Sequence, residues 1–225
     1  MGSQNYLNMA FEKLGHIMLD DMRMKASDIY KLAVKRQKKQ DYNPPVYNEN
    51  KINIRSVFEK GGMCFYVTPK NASVKEYFMF LHGGGFVSQM SRNEWRFVLD
   101  TVESTGYGAV VPVYPIAPDH SAAEAVDMLA GAYEKLCEKE DANRIVLIGD
   151  SSGACLALSV AIQLWKTGIR RPDKLILCSP VLDTEFEDRE LEQEMGDRRK
   201  FVYGYYYTPE IRSFLRPVSY THLTL

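Results

Sequence analysis

The chain has 225 residues, of which 45% are hydrophobic and 25% are charged, as in an ordinary globular protein of one domain or part of one. Its formal net charge of −1 gives no electrostatic reason to expect a nucleic acid or an anionic membrane as partner. The N-terminus lacks a basic region followed by an apolar one, and the four cysteines lack metal-ligand spacing. We therefore expect a cytoplasmic protein without structural zinc or disulfides.

The N-terminal region is predicted to be helical over residues 5–40, because apolar side chains recur there every three or four positions. Whether it forms one helix or two, with a break near residues 23–27, stays open. Pro44-Pro45 cannot continue a helix, so a linker follows. Short strands at 52–58 and 63–67 are separated by Gly61-Gly62. This pattern predicts an antiparallel hairpin at the edge of a sheet.

After the hairpin, apolar strands alternate with helices. The predicted strands are 77–81, 109–113, 145–148 and 175–178, and the predicted helices are 94–103, 121–138 and 154–165. Such alternation is typical of βαβ units, so the fold class is α/β with a mainly parallel sheet covered on both faces. From Thr184 onward the chain becomes strongly charged and then rich in tyrosine, which indicates an excursion away from the sheet.

The strand at 145–148 is followed by the G-x-S-x-G pentad Gly149-Asp150-Ser151-Ser152-Gly153 and then by a helix. Strand, tight turn and helix are the context in which this pentad forms a nucleophile elbow. So sharp a turn strains its central residue and brings the flanking backbones together, which explains glycine at positions 149 and 153. Ser151 is therefore the candidate nucleophile.

A second glycine-rich motif, His82-Gly83-Gly84-Gly85-Phe86, directly follows the strand at 77–81. Backbone N–H groups that no side chain shields are suitable donors to an oxyanion, and such a motif accompanies G-x-S-x-G in lipases and esterases. Taken alone, a glycine run is equally typical of a flexible turn. Together with the elbow it predicts an oxyanion hole at Gly83 to Gly85 and Ser152, with Gly84, Gly85 and Ser152 as the N–H donors.

Three motifs in this order resemble the hormone-sensitive-lipase-like branch of the α/β-hydrolases. They are His82-Gly83-Gly84-Gly85-Phe86, Tyr114-Pro115-Ile116-Ala117-Pro118-Asp119-His120 and Gly149-Asp150-Ser151-Ser152-Gly153. The family typically has H-G-G-G-F, Y-x-L-A-P-E-H and G-D-S-A-G, so Ile116, Asp119 and Ser152 are mild departures. The resemblance implies an α/β-hydrolase sandwich that hydrolyses carboxylic esters of short or medium acyl chain length, with a small-molecule ester as partner and no cofactor or metal.

The resemblance also implies roles for residues around the site. His82 would brace the glycine loop, His120 would cap its own loop, and the N-terminal helices would belong to a cap. Gly149, Asp150 and Gly153 would shape the elbow around Ser151. Asp183 would correspond to a structural position of the family rather than to the catalytic acid.

One departure from the family is severe. The catalytic triad of this fold runs in the order Ser, then Asp or Glu, then His, and the family's acid and histidine lie far beyond the nucleophile. The only histidine after Ser151 is His222, within Val218-Ser219-Tyr220-Thr221-His222-Leu223-Thr224-Leu225. That string resembles the in-frame translation of a transposon-end adapter used in sequencing libraries. We therefore expect a C-terminally truncated chain without the triad acid and base. Such a chain is expected to be inactive itself, although its full-length parent is a serine esterase.

The expected organisation is a cap of N-terminal helices at 1–42, a partial hydrolase core at 43–183, a cap or lid excursion at 184–216 and a non-native tail at 217–225. Two other functions share this scaffold, because a fold does not determine an activity. One is a non-catalytic protein that binds a small ligand, although a binder would need neither Ser151 nor the glycine loop. The other is a serine peptidase or acyltransferase. The sequence does not determine the acyl chain length or the alcohol part of the substrate. It also leaves open whether the protein forms a homo-oligomer.

Overall fold

The computed structural model describes residues 37–180, together with Lys31, Val34 and Lys35. The greater part of the predicted cap at 1–42, the predicted lid at 184–216 and the predicted tail at 217–225 lie outside the described residues. Asp183 and His222 lie outside them as well. The last described helical residue of the N-terminal segment is Gln37, slightly before the predicted end at residue 40.

Within the described residues six strands form one sheet in the order β1-β2-β4-β3-β5-β6. The strands are β1 Ile52–Glu59, β2 Gly62–Pro69, β3 Glu76–Leu81, β4 Gly108–Val113, β5 Arg144–Asp150 and β6 Lys174–Cys178. The hairpin β1–β2 is antiparallel and β2 is antiparallel to β4, whereas β4, β3, β5 and β6 are parallel to one another. The predicted α/β class and mainly parallel sheet are therefore confirmed.

Three helices connect the parallel strands: α1 Arg92–Thr105, α2 Ala122–Lys139 and α3 Ser152–Thr167. Helices α1 and α2 each begin with a capping box, in which a serine N-cap and the glutamate three residues later satisfy each other's backbone N–H groups. The capping box at Ser91 explains why α1 begins at residue 92, slightly earlier than the predicted residue 94. Helices α1 and α3 end where Gly106 and Gly168 take the left-handed conformation, with φ of 75° and 72°.

Both faces of the sheet are covered by helices. Helix α1 packs on one face, where Trp95 contacts Phe65 edge to face at a ring-centroid distance of 5.4 Å. Helices α2 and α3 pack on the other face through side chains such as Leu129 and Leu156. Burial on both faces explains why the central strands are continuously apolar instead of alternating between apolar and polar residues.

The topology brings the carboxyl ends of β3 and β5 together. The two strands are adjacent and parallel, with Leu81 opposite Gly149 in the register. The glycine loop follows Leu81 and the pentad begins at Gly149, so both leave the sheet at the same edge. Ligands of open α/β sheets bind at this edge, outside the carboxyl ends of the strands.

The segment that precedes β1 is tied to the loops at that same edge. The side-chain amide of Gln37 donates to the carbonyl oxygens of Val87 and Ala117, each at 2.7 Å. The indole N–H of Trp95 donates to the carbonyl oxygen of Tyr42 at 3.1 Å. In the part of the chain that the structure describes, no helix combines the length and apolar character that crossing a bilayer requires.

Candidate active site

Ser151 occupies a strained turn between β5 and α3. Its φ of 51° and ψ of −117° lie in a region that residues with a side chain rarely adopt. Such strain costs about 1–3 kcal/mol and persists only where the surroundings enforce it. Here the Ser151 N–H donates to the carbonyl oxygen of Cys178 at the end of β6, at 2.8 Å. The neighbouring strand therefore helps to hold the turn that presents this hydroxyl.

The two glycines of the pentad have no room for a side chain. A Cβ atom on Gly149 would lie 2.4 Å from the carbonyl oxygen of Gly153 and 2.5 Å from Cα of Ala154. On Gly153 it would lie 2.2 Å from the carbonyl oxygens of both Leu81 and His82. All of these obstacles are backbone atoms, which cannot rotate away. The close approach of Gly153 also seats the elbow directly against the end of β3.

The glycine loop lies beside the elbow. A Cβ atom on Gly83 would lie 3.0 Å from Oδ2 and 3.3 Å from the carbonyl oxygen of Asp150. Gly84 has a φ of 120°, and a Cβ atom there would lie 2.6 Å from the carbonyl oxygen of Ser88. Gly85 has a φ of 60°. This backbone path therefore requires glycine at its centre.

His82 lies beneath the glycine loop and is almost completely buried. Its ring stacks on that of Tyr114, with centroids 4.2 Å apart and planes inclined by 11°. In the Nδ1–H tautomer the ring donates to the carbonyl oxygen of Gly83 at 2.7 Å. Burial lowers the pKa of His82 below its usual value, although the charge of Glu94 acts in the opposite direction. The His82 ring therefore contacts the loop backbone through Nδ1.

Two carboxylates flank the glycine loop. Oε1 of Glu94 accepts a hydrogen bond from the N–H of Gly83 at 2.6 Å. Asp150 is partly buried, and its pKa is raised first by burial and then by the nearby charge of Glu94. The N–H of Gly83 is thus already engaged, whereas no hydrogen bond from the N–H of Gly84 or Gly85 is found among the described residues.

Two further residues predicted for the site are Ser152 and His120. Ser152 is the first residue of α3 and is completely buried. His120 is exposed, and its Nδ1 lies 3.8 Å from the carboxylate of Glu124. Among the described residues, no group of three or more His, Cys, Asp or Glu side chains could hold a metal ion.

Sequence reasoning missed three side chains that contact the loop or its histidine: Glu94, Tyr114 and Gln89. The Gln89 amide donates to the carbonyl oxygen of Tyr114 at 3.0 Å, and its Oε1 lies 3.1 Å from Nε2 of His82. Ser91 to Glu94 matches the S-x-x-E signature of a capping box, which could have marked the start of α1. The second contact of Glu94, with Gly83, depends on tertiary packing and has no local signal.

The match to a known family covers this site. A family model described as the alpha/beta hydrolase fold matches residues 78–214, which include the glycine loop and the elbow. The chain belongs to this α/β hydrolase family.

Its relatives include an esterase from Acinetobacter venetianus, 32% identical over 113 residues that make up 50% of this chain and 37% of that protein. Human hormone-sensitive lipase is 31% identical over 117 residues, 50% of this chain and 11% of that protein. The matched segments thus span well under half of these two relatives. An esterase/lipase from an uncultured bacterium has a related solved structure, with a TM-score of 0.66 at 20% identity over 91% of this chain and 68% of that one. The predicted resemblance to hormone-sensitive-lipase-like proteins is confirmed.

Proposed function

We propose that this protein hydrolyses carboxylic esters of short or medium acyl chain length, with Ser151 as the nucleophile. The observation that carries the proposal is the position of the glycine loop directly beside the strained serine. Gly153 of the elbow abuts the carbonyl oxygens of Leu81 and His82, and Gly83 abuts Asp150. Relatives named esterase and hormone-sensitive lipase support the same chemistry.

In the proposed reaction a base takes the proton of the Ser151 hydroxyl as Oγ attacks the ester carbonyl carbon, and the carbonyl oxygen becomes an oxyanion. Collapse of this intermediate breaks the C–O bond to the alcohol, which leaves with the proton, and water then hydrolyses the acyl-serine. The N–H groups of Gly84, Gly85 and Ser152 are proposed to receive this charge. Gly83 is left out of the donor set because its N–H donates to Glu94. The N–H of Ser152 is the first of α3, where the helix dipole favours negative charge. One donor of this kind contributes about 10²–10³ to kcat.

Ser151 also requires a base, because the neutral hydroxyl is a weak nucleophile. Both histidines of the described residues are engaged elsewhere. His82 is buried against Gly83 and Tyr114, and the exposed His120 lies near Glu124. We propose that the base and its orienting carboxylate lie outside the described residues.

The test is ester hydrolysis by the full-length protein and by its Ser151→Ala variant, with p-nitrophenyl esters of increasing acyl length and an anilide of the same acyl group. We expect the substitution to lower kcat/KM by at least about 10³-fold, because the attacking atom is lost. The control is Ser104→Ala, an exposed serine near the end of α1, which should keep wild-type turnover. Equal turnover by both variants would exclude Ser151 as the nucleophile. A preference for the anilide would favour a peptidase, and binding without turnover would favour the non-catalytic alternative.

A further inference from the structure

The peptide group between His82 and Gly83 is held at both of its polar ends. Its carbonyl oxygen accepts a hydrogen bond from the hydroxyl of Tyr114 at 2.6 Å. Its N–H, which belongs to Gly83, donates to Oε1 of Glu94, also at 2.6 Å. A peptide group is planar, so contacts at the C=O and at the N–H together fix its orientation.

The next peptide group, between Gly83 and Gly84, is held at its carbonyl end by Nδ1 of His82 at 2.7 Å. In a trans peptide the C=O and the N–H point in opposite directions. The contact from His82 therefore sets the direction of the Gly84 N–H. Glycines such as Gly84 and Gly85 restrict their own backbone very little, so the orientation of the loop depends on anchors that precede them.

Two hydrogen bonds fix the position of the Glu94 carboxylate at the start of α1. Oε2 of Glu94 accepts a hydrogen bond from the N–H of Ser91 at 2.7 Å, and the backbone N–H of Glu94 donates to Oγ of Ser91 at 3.3 Å. Together they form the capping box of α1. The next residue, Trp95, is almost completely buried against the sheet. One oxygen of the carboxylate thus caps the helix, and the other reaches eleven residues back along the chain to the glycine loop.

We propose that Glu94 is a positioning residue that holds the glycine loop in the orientation in which Gly84 and Gly85 donate to an oxyanion. The proposal rests on the proposed function of Ser151 and the loop. Glu94 is not proposed to touch the substrate. It acts through the N–H of Gly83 and fixes the plane of the peptide group that leads into the two donor glycines.

The second capping box of the chain provides a matched control. At the start of α2, Oε2 of Glu124 accepts from the N–H of Ser121 at 2.6 Å, and its own N–H donates to Oγ of Ser121 at 3.3 Å. The other contacts found for this carboxylate are with Oγ of Ser121 and with His120. Glu124 thus performs the same capping task as Glu94 without a contact to the glycine loop.

The experiment compares Glu94→Ala and Glu94→Gln with Glu124→Ala and Glu124→Gln in the full chain, by steady-state ester hydrolysis and by amide hydrogen exchange of the glycine-loop peptide. We expect Glu94→Ala to lower kcat by about ten- to a hundredfold with little change in KM, because misplaced donors weaken transition-state binding. Glu94→Gln keeps one acceptor oxygen and should recover part of this loss. Both Glu124 variants should keep kcat within about twofold. Exchange in the glycine loop should become faster in Glu94→Ala than in Glu124→Ala.

Equal losses of kcat in the Ala variants at positions 94 and 124, with equal exchange in the loop, would overturn the proposal and leave Glu94 with a capping role only. Should Glu94→Ala fail to fold, the pair Glu94→Gln and Glu124→Gln decides by the same criteria. If the wild-type protein hydrolyses no ester, the proposed function fails, but the exchange measurement still decides the anchoring. Faster exchange in the Glu94 variants alone would then support the anchor, and unchanged exchange would overturn it.

Discussion

At the scale of single residues, the site combines enforced strain with buried polar groups. Ser151 has a strained backbone conformation with a positive φ, and its N–H donates to the carbonyl oxygen of Cys178. Ser152 departs from the alanine that hormone-sensitive-lipase-like proteins typically have at this position. Its hydroxyl is fully buried and has no hydrogen-bond partner in the described part of the chain. Its proposed role in the site uses only the backbone N–H.

We expect Ser152→Ala to raise the free energy of unfolding by about 1 kcal/mol, because a buried hydroxyl without a partner costs about 1–3 kcal/mol. Turnover should be unchanged, since the backbone N–H remains. Urea unfolding of the variant measures the effect. The control is Ser159→Ala in the same helix, which should not gain stability, because Oγ of Ser159 donates to the carbonyl oxygen of Cys155 at 3.0 Å. A loss of stability in Ser152→Ala would show that the hydroxyl is satisfied in solution.

His82 should make stability depend on pH. Its pKa is lowered in the folded state by burial, so below pH about 6.5 the unfolded chain takes up a proton that the folded chain resists. Above that pH, His82 does not lower the free energy of unfolding. As the pH falls below it, towards the lower pKa of His82 in the folded state, the free energy of unfolding decreases. His82→Asn, whose amide can replace the Nδ1 donor, should reduce this decline in urea unfolding at pH 7.5 and 5.5. The exposed His120→Asn should keep the wild-type decline, and an equal decline in both variants would contradict the assignment.

At the scale of elements, the sequence predicted best those strands and turns whose residue types are set by neighbours in the chain. Apolar runs predicted the central strands, and the pentad after residues 145–148 predicted the elbow, because a turn this tight dictates its own residue types. The S-x-x-E pattern at Ser91 shows that α1 could have been placed more accurately.

Beyond the meeting of the glycine loop and the elbow, the sequence did not predict which side chains come into contact. The second contact of Glu94, a residue of α1, and the stacking of Tyr114 on His82 both join residues from different elements. They depend on β3 lying between β4 and β5. Nothing in the periodicity of either segment specifies those partners. Such contacts follow from the strand order, which no local pattern specifies.

At the scale of the whole molecule, the sheet serves to bring two loops together. Its parallel strands end at one edge, and burial on both faces fixes their positions there. The antiparallel hairpin β1–β2 extends the sheet on the side away from β5. The strand register, with Leu81 opposite Gly149, is therefore the feature that places the glycine loop against the serine.

The central claim, that Ser151 is the nucleophile of this site, is tested most directly by covalent labelling. A fluorophosphonate reacts with an activated serine hydroxyl and forms a stable adduct whose position is found by mass spectrometry of the digested protein. We expect one adduct, on the peptide that contains Ser151, and its loss in Ser151→Ala but not in Ser104→Ala. An adduct on another serine of a protein that hydrolyses esters would exclude Ser151 as the nucleophile.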